Sequence, residues 1–299
     1  MRTPRRLAAG LLVALALAGC AGTPVPDPST SAPSPASPPP GGVERDVVYR
    51  IVDGQELALD AYLPGEPVDV PVPAVVVVHG GGFTGGSRTG PDAAPIAALL
   101  ARSGYAAFTI DYRKLPGAIY PAALEDLQEA VRWLREPGQA ERFGIDAARI
   151  GAFGGSAGAI LVSEAGTAGK GPLDEDARLR AVVELSGVLD FTQAAITPDL
   201  GAEEVRLGLA YLGCTDPADC PAALQASALY AVDPTDPPFY LAHSEDEYLP
   251  EQSAIAMAQA LETVGVPVEL DLRPGAAHSI GMLDDAMVGR ILAFYAEHL

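Results

Sequence analysis

The chain has 299 residues, of which 48% are hydrophobic, and a formal net charge of −20 at pH 7. This length allows one large α/β domain or two small ones, with enough residues for a sizeable core. The negative charge argues against nucleic-acid binding, which needs clustered Lys and Arg, and against adhesion to an anionic membrane by surface charge.

Residues 1–19 form a predicted export signal. Three arginines lie within Met1–Arg6, and the apolar run Leu7–Ala18 that follows is too short to span a bilayer comfortably. The sequence Leu-Ala-Gly-Cys at the end of this region resembles a bacterial lipobox, which implies that Cys20 becomes the lipidated first residue of the mature protein. A plain signal peptide with an incidental cysteine is the alternative. We therefore expect an exported protein that a lipid anchors to the outer face of the bacterial cell membrane.

Residues 20–42 form a predicted tether between that anchor and the folded domain. After the cysteine they are almost all Pro, Ser, Ala, Thr and Gly. Such a segment has almost no apolar side chains to bury and cannot offset the entropy cost of ordering. We expect an extended, disordered linker, with the folded domain at residues 43–299.

Predicted strands alternate with predicted helices along this domain. A hairpin turns at Asp53-Gly54, and the β-branched run Pro73–His79 that follows is typical of a strand buried on both faces. The remaining predicted strands are 105–112, 149–154, 179–187, 238–244 and 266–274. The predicted helices are 91–104, 120–136, 157–169, 251–265 and 279–299. This order predicts an α/β fold with a mostly parallel sheet, helices on both faces and antiparallel strands at one edge.

Residues 190–233 break the alternation. The segment is rich in Ala, Pro and Asp and is long for a connection. We interpret it as a small cap inserted over a site at the C-terminal ends of the strands. It contains Cys214 and Cys220, which we expect to form a disulfide in an exported protein. Two free thiols are the alternative, and a metal site is disfavoured because no histidine or further cysteine lies near in the sequence.

Ser156 lies in the stretch Gly-Gly-Ser-Ala-Gly, between a predicted strand and a predicted helix. A nucleophile elbow has this context, because its tight turn needs small neighbours and projects the serine hydroxyl above the sheet. The helix N-terminus behind Ser156 also favours developing negative charge. A small-residue turn without chemistry is the alternative, since the chain contains 32 glycines.

A glycine-rich loop, His79–Ser87, directly follows the buried strand. Its backbone amides can face a substrate oxygen without obstruction by side chains, as stabilisation of a tetrahedral oxyanion requires. A flexible glycine loop is one alternative. A Walker phosphate loop would need Gly-Lys-Ser or Gly-Lys-Thr at its end, and Pro91 delays the helix that a dinucleotide-binding turn would need. The sequence therefore implies no cofactor and no metal.

His278 is the candidate base for Ser156, because it lies between the last predicted strand and the last predicted helix. The chain has four histidines. His79 belongs to the glycine loop, His243 is expected to make a structural hydrogen bond, and His298 lies at the end of the last helix. An unpaired loop histidine is the alternative for His278.

An acidic residue should orient the base, and it should follow the predicted strand 238–244. Glu245, Asp246 and Glu247 all lie there. Each of them gives the order serine, acid, histidine along the chain, which is the order of the α/β-hydrolases.

Five motifs taken together resemble those of the HGGG-type carboxylesterases of the α/β-hydrolase fold, including their deacetylase and feruloyl-esterase-like branch. The motifs are HGGGF, IDYR with YPAALEDLQEAVRWL, GGSAG, PPFYLAHSEDEYLP and GAAH. The resemblance covers the chain from about residue 43 to its end. It implies that Ser156 is the nucleophile and His278 the base. It also implies that the backbone N–H groups of Gly81, Gly82 and Ala157 form the oxyanion hole.

The acid is the point at which the chain departs from the family pattern. Family members usually have a glycine after the strand histidine and then Asp-x-x-Val-Pro, but here Ser244 replaces that glycine. Counting back from Pro250 selects Asp246, whereas counting forward from His243 selects Glu247. We favour Asp246, with Glu247 as the alternative.

The resemblance predicts a serine carboxylesterase that hydrolyses short-chain acyl esters of small molecules, carbohydrates or aryl groups. We expect small acyl groups because residues 190–233 are poor in large apolar side chains, which a long acyl chain would need for burial. A serine peptidase of the same fold is one alternative, but such enzymes usually carry a propeller or a large cap. A non-catalytic surface binding lipoprotein is the other, but degenerate members typically lose the serine or the histidine. The predicted partners are the ester substrate and, through the lipid anchor alone, a membrane.

Overall fold

The computed structural model describes residues 41–65, 70–197 and 200–299. The predicted signal, Cys20 and all but the last two residues of the predicted tether lie outside these ranges. The strands are β1 (Val43–Val52), β2 (Gln55–Tyr62), β3 (Val72–Val78), β4 (Ala106–Ile110), β5 (Ile145–Gly155), β6 (Val182–Leu185), β7 (Phe239–Ser244) and β8 (Val268–Arg273). The helices are α1 (Ala94–Arg102), α2 (Ala122–Arg135), α3 (Pro137–Phe143), α4 (Ala157–Gly166), α5 (Ala202–Leu212), α6 (Pro221–Gln225), α7 (Gln252–Val264) and α8 (Asp285–His298).

The eight strands of the described residues form one sheet in the order β1-β2-β4-β3-β5-β6-β7-β8. Strand β2 is antiparallel to β1 and β4, and the remaining neighbours pair in parallel. The register aligns Val78 with Gly154, and Gly155 with Leu185. The carboxyl ends of β3, β5 and β6 therefore meet at one edge, where ligand sites form in such sheets.

Helices cover both faces of the sheet, as the continuous apolar run of β3 predicts. Val76 and Val78 pack in the cluster that includes α2, α4 and α7, whereas Val75 and Val77 pack in the cluster that includes α1 and α8. This alternation follows from the two-residue period of a strand. Within the described ranges, no helix has the length and apolar character needed to cross a membrane.

Two helix boundaries differ from the sequence prediction for identifiable reasons. Helix α3 begins at Pro137, where the sequence indicated only an end, because proline is well tolerated at the first position of a helix. The last helix begins at Asp285 and not at residue 279, because Ser279–Met282 forms a separate 3₁₀ turn. The Asp284 side chain then caps α8 by accepting a hydrogen bond of 2.8 Å from the amide of Met287.

The described part of the segment 190–233 contains α5, α6 and three short 3₁₀ turns. The predicted bond between Cys214 and Cys220 is present, with 5.6 Å between the two Cα atoms. It closes a small loop directly after α5, where Gly213 ends the helix in the left-handed conformation.

Candidate active site

Ser156 lies in the sharp turn between β5 and α4. Its φ is 56° and its ψ is −122°, a strained combination for a residue other than glycine. A Cβ atom at Gly158 would lie 2.1 Å from the carbonyl oxygen of Val78, and one at Gly154 would lie 2.2 Å from that of Gly158. The turn therefore requires glycine at both positions, as the elbow interpretation of the motif predicts.

Ser156 and His278 line one cavity of about 560 Å³ at the carboxyl edge of the sheet. The predicted oxyanion donors Gly81, Gly82 and Ala157 line it too. A cavity of this size is typical of small-molecule sites. The structure thus brings together every site residue predicted for the reaction except Asp246.

The glycine loop presents amides to this cavity. A Cβ atom at Gly81, whose φ is 110°, would lie 2.6 Å from the carbonyl carbon of Gly85. The Gly80 amide donates to Asp92 Oδ2 at 2.6 Å, whereas the amides of Gly81 and Gly82 donate to no backbone carbonyl among the described residues. As the first residue of α4, Ala157 also has no intrahelical acceptor for its amide. These three amides are therefore available to a substrate oxygen.

Buried contacts hold the glycine loop in place. His79 is fully buried, and its ring stacks on Tyr112 with 4.4 Å between centroids. Burial lowers the pKa of His79, which fits a structural role for this residue. At the other end of the loop, Arg88 donates through its amide to Asp111 and through Nε to Asp60, each at 2.9 Å. The loop is thus fixed to the ends of β2 and β4.

The carboxylate that meets the candidate base is Glu247, so the preference for Asp246 is wrong. His278 Nδ1 hydrogen-bonds to Oε2 of Glu247, whose side chain has no exposed surface. Asp246 is exposed, and its amide donates to the carbonyl of Gly275 at 2.9 Å. After β7, residues 245 and 246 are exposed and the side chain of Glu247 is buried. Counting forward from His243 therefore selects the residue that contacts His278.

Two donors and one close ion-pair contact surround Oε1 of Glu247. Ser186 Oγ donates at 2.7 Å and the Ser244 amide donates at 3.2 Å. His243 Nδ1 lies 2.9 Å from Oε1 and also hydrogen-bonds to the Ser244 carbonyl at 3.1 Å. Burial alone would raise the pKa of Glu247, but its contacts with His243, His278 and Ser186 lower it to about 2. Glu247 is therefore ionised at neutral pH.

The contact with Glu247 decides which nitrogen of His278 faces the cavity. With Nδ1 donating to the carboxylate, Nε2 is left to accept a proton. Among the described residues, His278 Nε2 has no hydrogen-bond partner, although it is buried. Ser244 supports this arrangement, because its Oγ donates to the carbonyl of Ala277 at 2.5 Å. The residue that replaces the family glycine thus holds the loop that carries His278.

Sequence reasoning missed several residues around the site. Ser186 has a φ of 61° and joins two parts of the site, because its Oγ donates to Glu247 and accepts from the Ser279 amide at 2.9 Å. Tyr248 lies over the base, with 4.6 Å between its ring centroid and that of His278. Ser186 belongs to none of the five motifs, whereas Tyr248 lies within PPFYLAHSEDEYLP but was given no role there. The sequence provides an indication for His243 alone, because its place at the end of a buried strand predicts a structural hydrogen bond.

A second cavity of about 300 Å³ adjoins the first beneath residues 190–233. The two share the lining residues Val188, Phe191, Glu204, Gly208 and Leu249. The second is otherwise lined mainly by aliphatic side chains, among them Ile196, Leu200, Val205, Leu209 and Leu212. The sequence-based expectation that this segment offers little apolar surface near the site is therefore wrong.

The profile of the BD-FAE family matches residues 59–261. The chain belongs to this family. The matched stretch contains the glycine loop, the elbow and Glu247, and it ends before His278. Membership of the BD-FAE family agrees with the predicted esterase resemblance.

Known proteins extend the comparison over most of the domain. Esterase LipC of Mycobacterium tuberculosis is 29% identical over 269 residues, which cover 85% of this chain and 66% of LipC. The chain thus spans just under two thirds of that relative's length. Ethyl acetate hydrolase of Pseudomonas putida is 29% identical over 85% of this chain and 82% of its own length.

A solved structure also matches, that of the thermophilic esterase Est2 of Thermogutta terrifontis with propionate bound. It has a TM-score of 0.68 and 25% identity, and the match covers 86% of this chain and 93% of that one. Together with the sheet order and the helices on both faces, this match confirms the predicted α/β-hydrolase fold.

Proposed function

We propose that this member of the BD-FAE family is a serine carboxylesterase. Ser156 is the nucleophile, His278 is its base, and Glu247 orients the base. The amides of Gly81, Gly82 and Ala157 stabilise the oxyanion. The observation that supports this proposal is the hydrogen bond from His278 to the buried Glu247, in the cavity that the strained serine also lines.

These residues can complete an ester hydrolysis without a cofactor. Ser156 Oγ attacks the ester carbonyl carbon while its proton moves to His278 Nε2. Negative charge that develops on the carbonyl oxygen is stabilised by the three amides. When the tetrahedral intermediate collapses, the C–O bond to the alcohol breaks and His278 returns the proton to the leaving alcohol. His278 then activates a water molecule, which attacks the acyl group on Ser156 and releases it as the carboxylic acid product.

Glu247 contributes through its charge and its geometry. It keeps the Nδ1–H of His278 engaged, so that the ring presents Nε2 to Ser156. Because Glu247 is ionised, it also stabilises the imidazolium that forms when His278 takes the serine proton.

We propose short-chain acyl esters as substrates, with a carbohydrate, an aryl group or another small molecule as the alcohol. The support is that one relative is named an ethyl acetate hydrolase and that a structural neighbour was solved with propionate bound. The test is kcat/KM for p-nitrophenyl esters from acetyl to decanoyl, together with acetylated sugars. We expect a maximum between acetyl and butyryl. A steady rise to decanoyl would reject the short-acyl preference and leave the mechanism intact.

We also propose that the enzyme is exported and held by a lipid on Cys20 at the outer face of the bacterial membrane. The support is the basic start, the short apolar run and the Leu-Ala-Gly-Cys sequence. The disulfide between Cys214 and Cys220 agrees with an oxidising compartment.

A further inference from the structure

His243 lies at the end of β7 and contacts the acid of the site from the side opposite the base. Its Nδ1 is 2.9 Å from Oε1 of Glu247, and neither side chain has any exposed surface. The other oxygen of Glu247, Oε2, accepts from His278. One carboxylate is thus held between two histidines, of which only His278 lines the cavity.

Two buried carboxyl groups face His243, Glu247 from the loop after β7 and Glu184 from the neighbouring strand. Glu184 lies on the neighbouring strand β6, is fully buried, and accepts from the Gly187 amide at 2.9 Å through Oε2. Burial alone would lower the pKa of His243, but its contact with Glu247 raises it. Burial raises the pKa of Glu184 to about 8, so Glu184 is largely protonated at neutral pH and the negative charge beside His243 is that of Glu247. Among the described residues, His243 Nε2 and Glu184 Oε1 are both buried without a hydrogen-bond partner.

We propose that His243 is a positioning residue that fixes Glu247 for its work on His278. This inference rests on the proposed esterase function. Nδ1 of His243 lies between Oε1 of Glu247 and the Ser244 carbonyl, so that it fixes the carboxylate against the end of β7 and Oε2 stays directed at His278 Nδ1. When His243 is protonated, its charge also offsets part of the negative charge of Glu247, so that Glu247 favours protonation of His278 less strongly.

Two substitutions separate the hydrogen bond from the charge. His243→Asn keeps an N–H donor near the position of Nδ1 but carries no charge, whereas His243→Leu removes both. Hydrogen bonds that involve a charged group are the stronger ones, so losing this one should lower kcat by about 10- to 100-fold. His243→Asn should retain most of kcat. In both variants the acid limb of the pH profile should move to higher pH, because Glu247 then favours protonation of His278 more strongly.

The experiment measures kcat and KM of the full-length enzyme with p-nitrophenyl acetate from pH 5 to 9. Active sites are counted with a fluorophosphonate, so that any misfolded fraction does not enter kcat. We expect KM to be unchanged, kcat of His243→Leu to fall, and the acid limb to shift in both variants. Unchanged kcat per active site, or an acid limb that stays in place, would overturn the proposal and leave His243 a packing residue.

Two outcomes require a different measurement. If His243→Leu does not fold, the position of the acid limb in the pH profile of His243→Asn tests the positioning role. If the wild type hydrolyses no ester, the proposed function fails, and the rate at which the fluorophosphonate labels Ser156 across the same pH range replaces turnover. A labelling rate with the same pH dependence in His243→Asn and wild type would then overturn the positioning role.

Discussion

In the proposed mechanism, His278 depends on Glu247 for its orientation. We predict that Glu247→Gln lowers kcat by about 10³- to 10⁴-fold with little change in KM, because a neutral amide no longer selects the His278 tautomer or stabilises its imidazolium. The matched control is Asp246→Asn, one residue earlier and exposed, which should stay within about twofold of wild type. Steady-state kinetics with p-nitrophenyl acetate measures both variants.

The opposite pattern, a large loss for Asp246→Asn and a mild one for Glu247→Gln, would return the role of the acid to Asp246. Two mild effects would show that the orientation of His278 does not depend on a carboxylate of this loop.

The sequence could predict that Ser156 and His278 lie at one cavity, but it could not select the carboxylate that contacts His278. Ser156 lies in a motif whose glycines follow from the tight packing of the turn, and His278 was selected by its place between two elements. The acid depended on counting residues along a loop one residue shorter than the family pattern. The two counts disagreed, and only the burial of Glu247 beside His278 decides between them. Ser186 joins the site through long-range contacts that no local pattern marks.

At the scale of elements, Tyr211 at the end of α5 connects the cap segment to the glycine loop and to helix α4. Its ring stacks on Phe83 of the glycine loop with 3.8 Å between centroids. Its hydroxyl donates to Glu164 of α4 at 2.8 Å, and burial raises the pKa of Glu164 well above its usual value. Glu164 is therefore protonated in the folded protein at a pH where the unfolded chain has lost that proton.

This difference in protonation predicts a pH-dependent stability. The folded state binds a proton on Glu164 that the unfolded state releases above pH 4.5, so the free energy of unfolding falls as pH rises above that value. Glu164→Gln keeps a neutral partner for Tyr211 and removes this dependence. We expect it to raise Tm at pH 8 by at least about 2 °C more than at pH 5. Thermal unfolding followed by circular dichroism measures this difference.

The control for Glu164→Gln is Glu262→Gln, an exposed position on α7 that should have the same small effect at both pH values. An equal change in Tm at pH 5 and pH 8 for Glu164→Gln would contradict a protonated Glu164.

The elements themselves were largely predictable, because apolar periodicity reports burial. The hairpin, the buried β3 and the helices α2, α4 and α7 all follow from such patterns. Helix α3 was missed because Pro137 was taken only as the end of α2. The second cavity was missed because it is assembled from side chains of the cap segment and α7, which composition alone does not bring together.

At the scale of the whole molecule, the mature protein should begin at Cys20 and be held at the membrane. We predict that globomycin, which blocks lipoprotein signal cleavage, leaves a longer precursor in the cell. Cys20→Ser should also leave an uncleaved precursor, in this case without lipid, because the thiol that carries the lipid is lost. Immunoblotting of membrane and soluble fractions measures both. Normal processing under globomycin, with release of a mature protein that carries no lipid, would contradict the anchor.

Covalent labelling shows whether Ser156 is the nucleophile of the proposed esterase. The full-length enzyme is treated with a fluorophosphonate, digested and analysed by mass spectrometry, beside Ser156→Ala and the control Ser163→Ala in the same helix region. We expect a single phosphonylated residue, Ser156, with labelling and p-nitrophenyl acetate turnover abolished in Ser156→Ala and retained in Ser163→Ala. Labelling at another serine, or turnover that survives Ser156→Ala, would show that Ser156 is not the nucleophile.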